Sequence, residues 1–482
     1  MDARAQHGAG PSGGRARGLG TWSSRVEGGA AVFAPVLMCG PGRPTYAGAV
    51  TAQPSFRDLP PHRLREHVIT VPVDHADPSR FGSLQLFARE VVDPSRDGED
   101  LPLLLFLQGG PGGASPRPVA GGWWSTALRT HRVVLLDQRG TGRSSRVDGR
   151  TVSAMDPATA AEYLACFRAD AIVEDAELLR HRIYGGRRWS TLGQSYGGFC
   201  TLTYLSRHPE ALTACYVTGG LPGITATAED VYARTFTRQQ ARNRAFARRY
   251  PEDQRLIEAL ADRLAGADVR LPNGDRLHVE RLRTLGMSFG MSTGVDALHW
   301  ALDLIDLDRD GIPSPAFLQW LQTETGFDGN PLYLPLQEVI YHQGERAGGW
   351  AAEQERDRRP EFDATARPLA LTGEAAFPWM FRDIAALRPF QGAAELLAAR
   401  TEWPTLYDPE RLASNEVPVA AAQYLDDPYV DIELAQDTAA RVGNTQVWAT
   451  NEYLHDGLRV AGDVILPRLI DLAAGRWTVT AP

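Results

Sequence analysis

The sequence contains no lysine: all 50 of its basic residues are arginine. Every chemistry that needs a lysine ammonium is thereby removed, including P-loop phosphate binding, Schiff bases with pyridoxal phosphate and Ser–Lys dyads. Cysteine is scarce. Cys39, Cys166, Cys200 and Cys215 show no CxxC spacing and no Cys/His cluster. That argues against a disulfide framework or a zinc site and for reduced thiols in a cytoplasmic protein. No window reaches 18 consecutive apolar residues, so no membrane span is expected. There is no basic tail, and 50 basic against 59 acidic residues leave a net charge of −9, which argues against nucleic acid as a partner. The 47 glycines and 33 prolines are too few and too scattered for a low-complexity protein.

What is present is an ordinary globular composition, 43% hydrophobic and 23% charged, over 482 residues. Such a length suits one large domain carrying an insertion. Residues 1–58 stand apart: rich in Gly, Ala, Arg, Pro and Ser and without sustained periodicity, they are expected to be mostly disordered. Their apolar run 30–39 follows arginines, as a signal peptide or lipoprotein anchor would. It is short, starts late, carries a proline and lacks a small residue just before Cys39, all of which count against export.

From residue 59 the pattern becomes α/β. Segments 67–73 and 84–92 read as an antiparallel hairpin, while 101–107 (LPLLLFL) and 132–137 (RVVLLD) are continuous apolar runs of the kind buried in a parallel sheet. A long amphipathic helix is expected over 161–184, a strand over 188–193, a helix over 196–206 and a strand over 214–218. The alternation returns only near the end, with strands at 418–423 and 445–450 and a helix at 463–474. Between them, strand signals vanish and arginine-rich helical segments take over. The expected organisation is a mostly parallel sheet flanked by helices, with core segments 59–221 and 401–482 and a helical cap inserted over 222–400.

The strongest chemical signal is Gly193-Gln194-Ser195-Tyr196-Gly197, a G-x-S-x-G pentapeptide between an expected strand and an expected helix. That context is what a nucleophile elbow requires. A serine needs a histidine base oriented by a carboxylate, and in this fold class the chain order is Ser, acid, His. His208, His278, His299 and His342 fall beside the elbow helix or in the insertion. His455 alone follows a late strand, in the loop NEYLHDGLR. The acid should follow strand 418–423, where Asp426, Asp427 and Asp431 are candidates and Asp427 is favoured over its neighbour Asp426. The loop Gln108-Gly109-Gly110-Pro111-Gly112-Gly113 follows an apolar strand, and the N–H groups of Gly110 and Tyr196 are the expected oxyanion hole. One motif misleads. Asp306-Leu307-Asp308-Arg309-Asp310-Gly311 copies the start of a calcium loop, but Phe317 stands where the bidentate glutamate belongs and Pro313 and Pro315 interrupt it. No metal is expected there.

These residues, with LQGGPGG (107–113), DQRGTGRSS (137–145), GQSYGGFC (193–200), LTGEAAFPWMF (371–381), DDPYVD (426–431) and NEYLHDGLR (451–459), resemble the prolyl aminopeptidases (proline iminopeptidases) of the α/β-hydrolase superfamily, in their longer bacterial form. The resemblance also takes in NPLYLPLQEVIYHQG (330–344) and WAAE (350–353), and runs from about His67 to Leu472. It implies release of N-terminal proline from short peptides with a free N-terminus, through an acyl-enzyme and without metal or organic cofactor. It gives the triad as Ser195, Asp427 and His455, the aspartate standing two residues before the Tyr-Val of its motif. It implies that cap glutamates read the substrate's amine, with Glu338 and Glu374 at matching positions and Glu353 as a third candidate. A homo-oligomer is left open. The sequence departs from the family at Gln108, Gln337, Ala375 and Leu454, and Gln337 and Ala375 bear on strictness toward proline. A broader-specificity aminopeptidase or an esterase of the same fold is the alternative, followed by a non-catalytic binding protein on a hydrolase scaffold.

Overall fold

A computed structural model of the chain describes residues 55–118, 121–309 and 311–476. The apolar run 30–39, Cys39 and Asp310 lie outside the described residues, as does most of the N-terminal extension.

Nine strands form one sheet: β1 (Ser55–Leu59), β2 (His62–Pro72), β3 (Ser83–Val92), β4 (Leu103–Leu107), β5 (Arg132–Asp137), β6 (Trp189–Gln194), β7 (Leu212–Thr218), β8 (Val419–Tyr424) and β9 (Thr445–Thr450). Their spatial order is β1-β2-β3-β5-β4-β6-β7-β8-β9. Pairings among β1, β2, β3 and β5 are antiparallel, and every pairing from β5 to β9 is parallel. The run LLLFL of β4 has no polar face because neither face meets water. Leu103, Leu105 and Leu107 belong to one apolar cluster, and Leu104 and Phe106 to the cluster on the opposite face.

Helices cover both faces. α1 (Trp123–Ala127), α2 (Ala169–Tyr184), α3 (Tyr196–Arg207), α4 (Ala228–Arg249), α5 (Pro251–Gly266), α6 (Ala351–Asp357), α7 (Ile432–Arg441) and α8 (Gly457–Ala473) are the ones used below. Between β7 and β8 the described chain is helices and loops apart from two short antiparallel pairs, the hairpin Val269–Arg270 with Arg276–Leu277 and the long-range pair Gly344–Glu345 with Glu402–Trp403.

Three expectations need correction. Order does not begin at 59: residues 55–58 already pair with β2, Ser55 opposite Glu66, extending the antiparallel edge. The helix expected over 161–184 is two, Pro157–Ala165 and α2, broken where Arg168 turns inward. Its guanidinium donates to the carbonyls of His342 and Pro404 and lies 4.8 Å from the Trp403 ring, a long-range anchor that helical periodicity does not register. The last helix starts at Gly457 rather than 463, through a non-helical Ala461.

The DQRGTGRS segment turns out to brace the sheet. Arg139, 2% exposed, forks onto Asp175 of α2 (2.6 and 2.8 Å) and donates to the carbonyls of Val73 and Cys166. Asp137 accepts from Arg117, Ser115 N and Arg143 N. Asp175→Asn would leave the Arg139 charge buried and uncompensated, a loss of about 3–5 kcal/mol. Chemical denaturation should record it as a lower midpoint with the slope unchanged.

Candidate active site

Ser195, the loop 108–113, Asp427 and His455 all follow the C-terminal ends of parallel strands: β6, β4, β8 and β9 in turn. Ligands of open α/β sheets bind at that edge.

The elbow is strained as its sequence requires. Ser195 has φ 55° and ψ −128°, outside the conformations an L-residue prefers. The tight return brings Gly193 and Gly197 against backbone, so a Cβ on Gly197 would fall 1.9 Å from the Leu107 carbonyl oxygen. Only glycine fits there. Ser195 is 8% exposed, and its hydroxyl makes no hydrogen bond among the described residues.

His455 Nδ1 lies 2.7 Å from Asp427 Oδ2, and the pair is 4% and 1% exposed. Burial alone would pull the imidazole down. The Asp427 charge and hydrogen bond, then the charges of Glu374 and Asp456, outweigh it and raise the pKa above the usual 6.5. Asp427 Oδ1 accepts from the backbone N–H of Tyr429 (2.8 Å) and Val430 (3.2 Å), which fixes the carboxylate. The three candidate acids separate cleanly. Asp426 is exposed, and Asp431 caps α7 through Glu433 N and Leu434 N while pairing with Arg238.

The loop Gly219-Gly220 after β7 forms a wall shared by serine and histidine. A Cβ on Gly220 would sit 2.4 Å from Ser195 O, and one on Gly219 would sit 3.3 Å from His455 Nδ1. These glycines were not singled out in the sequence, although Gly-Gly straight after a buried strand was a usable signal. Tyr429 was missed as well. Its ring stands edge-on to His455 at 4.8 Å, and its hydroxyl accepts from Gly290 N (3.1 Å) and donates to Met287 O. Since His455 N donates to Gly290 O (3.0 Å), the inserted helical segment braces the histidine loop.

The glycine loop lies beside the elbow. Gly109 lies against the nucleophile, where a Cβ would come 2.8 Å from Ser195 Cβ. Neither Gly110 N nor Tyr196 N donates to a protein acceptor among the described residues. Gln138 Nε2 holds the loop through Gln108 O (2.9 Å), and Asn330 of the insertion holds it through Pro111 O (3.2 Å).

The two favoured glutamates part ways. Glu374 keeps some exposure, accepts from Tyr333 Oη (2.5 Å) and has Gln337 beside it. Burial raises its pKa; His455, the Tyr333 hydroxyl and Gln337 hold it down, while Asp427 adds to the rise. It thus shares a field with the His–Asp pair. Glu338 is 6% exposed, and both of its oxygens are taken by α6: Oε2 by Ala351 N (3.2 Å) and Oε1 by Ala352 N (3.0 Å). Burial pushes its pKa up to about 7 despite those amides. Glu353 pairs with Arg356 on the same helix.

Another His–Asp pair is present, His299 Nδ1 to Asp253 Oδ2 at 2.7 Å, but it stacks on Tyr250 within the insertion with no elbow serine. No group of three His, Cys, Asp or Glu side chains that could hold a metal occurs among the described residues. No described helix is long and apolar enough to cross a membrane.

The model of the alpha/beta hydrolase fold family matches residues 102–269. A proline iminopeptidase of Aeromonas sobria is 45% identical over 408 residues, covering 84% of this chain and 95% of that protein. The proline iminopeptidase aneH of Aspergillus aculeatus is 34% identical over 427 residues, covering 86% and 94%. Among solved structures, the proline iminopeptidase of Mycobacterium smegmatis aligns over 85% of this chain and all of its own (100%), with 14% identity and a TM-score of 0.38.

Proposed function

As this chain belongs to the proline iminopeptidase family of α/β hydrolases, we propose that it releases N-terminal proline from short peptides, with Ser195, His455 and Asp427 as its catalytic triad. Ser195 Oγ attacks the prolyl carbonyl carbon while His455 Nε2 takes its proton. The C–N bond then breaks as that proton passes to the departing nitrogen, leaving a prolyl ester on Ser195. Water attacks the ester with His455 again as base, and proline leaves as the proton returns to Oγ. Gly110 N–H and Tyr196 N–H stabilise the oxyanion of each tetrahedral intermediate. Asp427 holds the imidazole in the tautomer that leaves Nε2 unprotonated. The observation that supports this most is the buried 2.7 Å bond between His455 and Asp427, in the loops after β9 and β8, at the same sheet edge as the strained Ser195 after β6.

The helical insertion acts as the cap and carries the group that reads the amine. Glu374, partly exposed and within the field of His455, suits a prolyl ammonium, whereas Glu338 is committed to the N-terminus of α6. Cys166, Cys200 and Cys215 are free thiols, in keeping with the cytoplasm as the site of action.

Glu374→Gln is expected to lose about 2–4 kcal/mol of transition-state binding on prolyl amides and far less on a neutral ester, which has no charge to pair. Glu338→Gln is expected to act on both alike, through the cap's structure. Rates for prolyl and alanyl amides, free and N-acetylated, beside a simple ester test the whole reading. Turnover confined to free-amine prolyl substrates supports it. Equal rates on alanyl amides or on esters would favour the broader aminopeptidase or esterase, for which Gln337 beside Glu374 is the relevant departure.

A further inference from the structure

A cavity of about 510 Å³ adjoins His455 and Gln194, the residue before the nucleophile. Neither Glu374 nor Tyr333 lines it, so it is distinct from the space around the amine-reading glutamate. Four further stretches of chain meet Gln194 there. Trp123 and Trp124 come from α1, Phe106 from the end of β4, Met291 from the insertion and Leu458 from the start of α8. Trp123 stacks on Phe106 at 4.7 Å and leans on Trp124 at 5.0 Å, giving a rigid aromatic wall. The charges at the rim compensate each other: Arg459 donates to Asp456 Oδ2 (2.8 Å), and Ser292 donates to Asp456 Oδ1 through its hydroxyl (2.6 Å) and its N–H (2.9 Å). Among the described lining residues no unpaired charge is left to attract an ionic side chain, and an apolar one would bury surface against the tryptophans. The volume is in the range of ligand pockets, about 300–1,000 Å³.

We propose that this cavity receives the residue following the scissile bond and favours it when its side chain is aromatic or long and aliphatic. The inference rests on the aminopeptidase reading above. In that mechanism His455 hands its proton to the departing nitrogen, so the departing residue lies against the face of the site that His455 borders. The acyl residue lies toward Glu374. The cavity has His455 in its wall and none of the groups around Glu374, which is the placement a leaving-residue subsite requires.

The experiment measures kcat/KM for Pro-Phe, Pro-Leu, Pro-Gly and Pro-Asp amides with the full chain and with Met291→Trp and Met291→Ala. The parent enzyme should prefer Phe and Leu over Gly and Asp by about tenfold or more. Met291→Trp fills the cavity, and Met291→Ala, which cannot overfill it, removes part of its wall; each should reduce the Phe-to-Gly ratio by about threefold or more, since lost apolar contacts act on the bulky residue alone. Values within twofold across the four substrates, or a ratio unchanged in both variants, would overturn the subsite while leaving the prolyl activity standing. No turnover of any prolyl amide, with Ser195 still labelled by a fluorophosphonate, would instead overturn the aminopeptidase reading and the subsite with it.

Discussion

Ser195→Ala is expected to lower kcat on a prolyl amide by about 10⁴–10⁶, the loss seen when a triad acts as a unit and one member goes. Stability should hardly move. The hydroxyl makes no hydrogen bond among the described residues, so its removal orphans no partner. The backbone at φ 55° is equally strained for serine and alanine, because both carry a Cβ. Turnover of purified variant and parent, beside their denaturation midpoints, checks both halves. A well-folded variant that keeps more than a tenth of parental activity would remove Ser195 from the mechanism. His455→Ala should be about as damaging, and the double variant little worse than either single one.

Asp427→Asn is expected to reduce kcat by about 10⁴, because an amide in place of the carboxylate directs the imidazole to the wrong tautomer. Asp426→Asn is expected to be mild, since Asp426 is exposed and it is Asp427 that bonds His455 Nδ1. The pH profile gives a second readout. His455 must be neutral to accept the Ser195 proton, so activity falls as pH drops through its pKa. Asp427 holds that pKa above 6.5, so the acid limb of kcat/KM should have its midpoint above 6.5 in the parent and shift to lower pH in Asp427→Asn. Equal losses at both aspartates would mean that the loop's fold, rather than the imidazole's orientation, had been damaged.

Local rules carried much of this. The glycines around Ser195 are a steric requirement written into adjacent residues, so the elbow could be read before any contact was known. Unbroken apolar runs such as LPLLLFL announce strands covered on both faces, and 445–450 coincides with β9 because its bounds follow from local pattern alone. The order of serine, acid and histidine along the chain then narrowed the base to His455, since only that histidine follows a late strand.

Other features needed the tertiary structure, and each depends on groups far apart in sequence. Arg168 interrupts an otherwise periodic helix by turning inward, where its Nη2 donates to carbonyls 174 and 236 residues away. Glu338 and Glu374 occupy equally suitable motifs, yet α6 turns its first amides onto Glu338, while Glu374 stays within the electrostatic field of His455. Arg139 and Asp175 form a buried pair between a loop and a helix with nothing in the local sequence of either to name its partner. The cavity beside His455 is assembled from residues as distant as Phe106 and Leu458. A backbone turn is fixed by sterics within a few residues and leaves its mark in them. A charge partner or a cavity wall is fixed by which surfaces the fold brings together, so only the folded chain decides it.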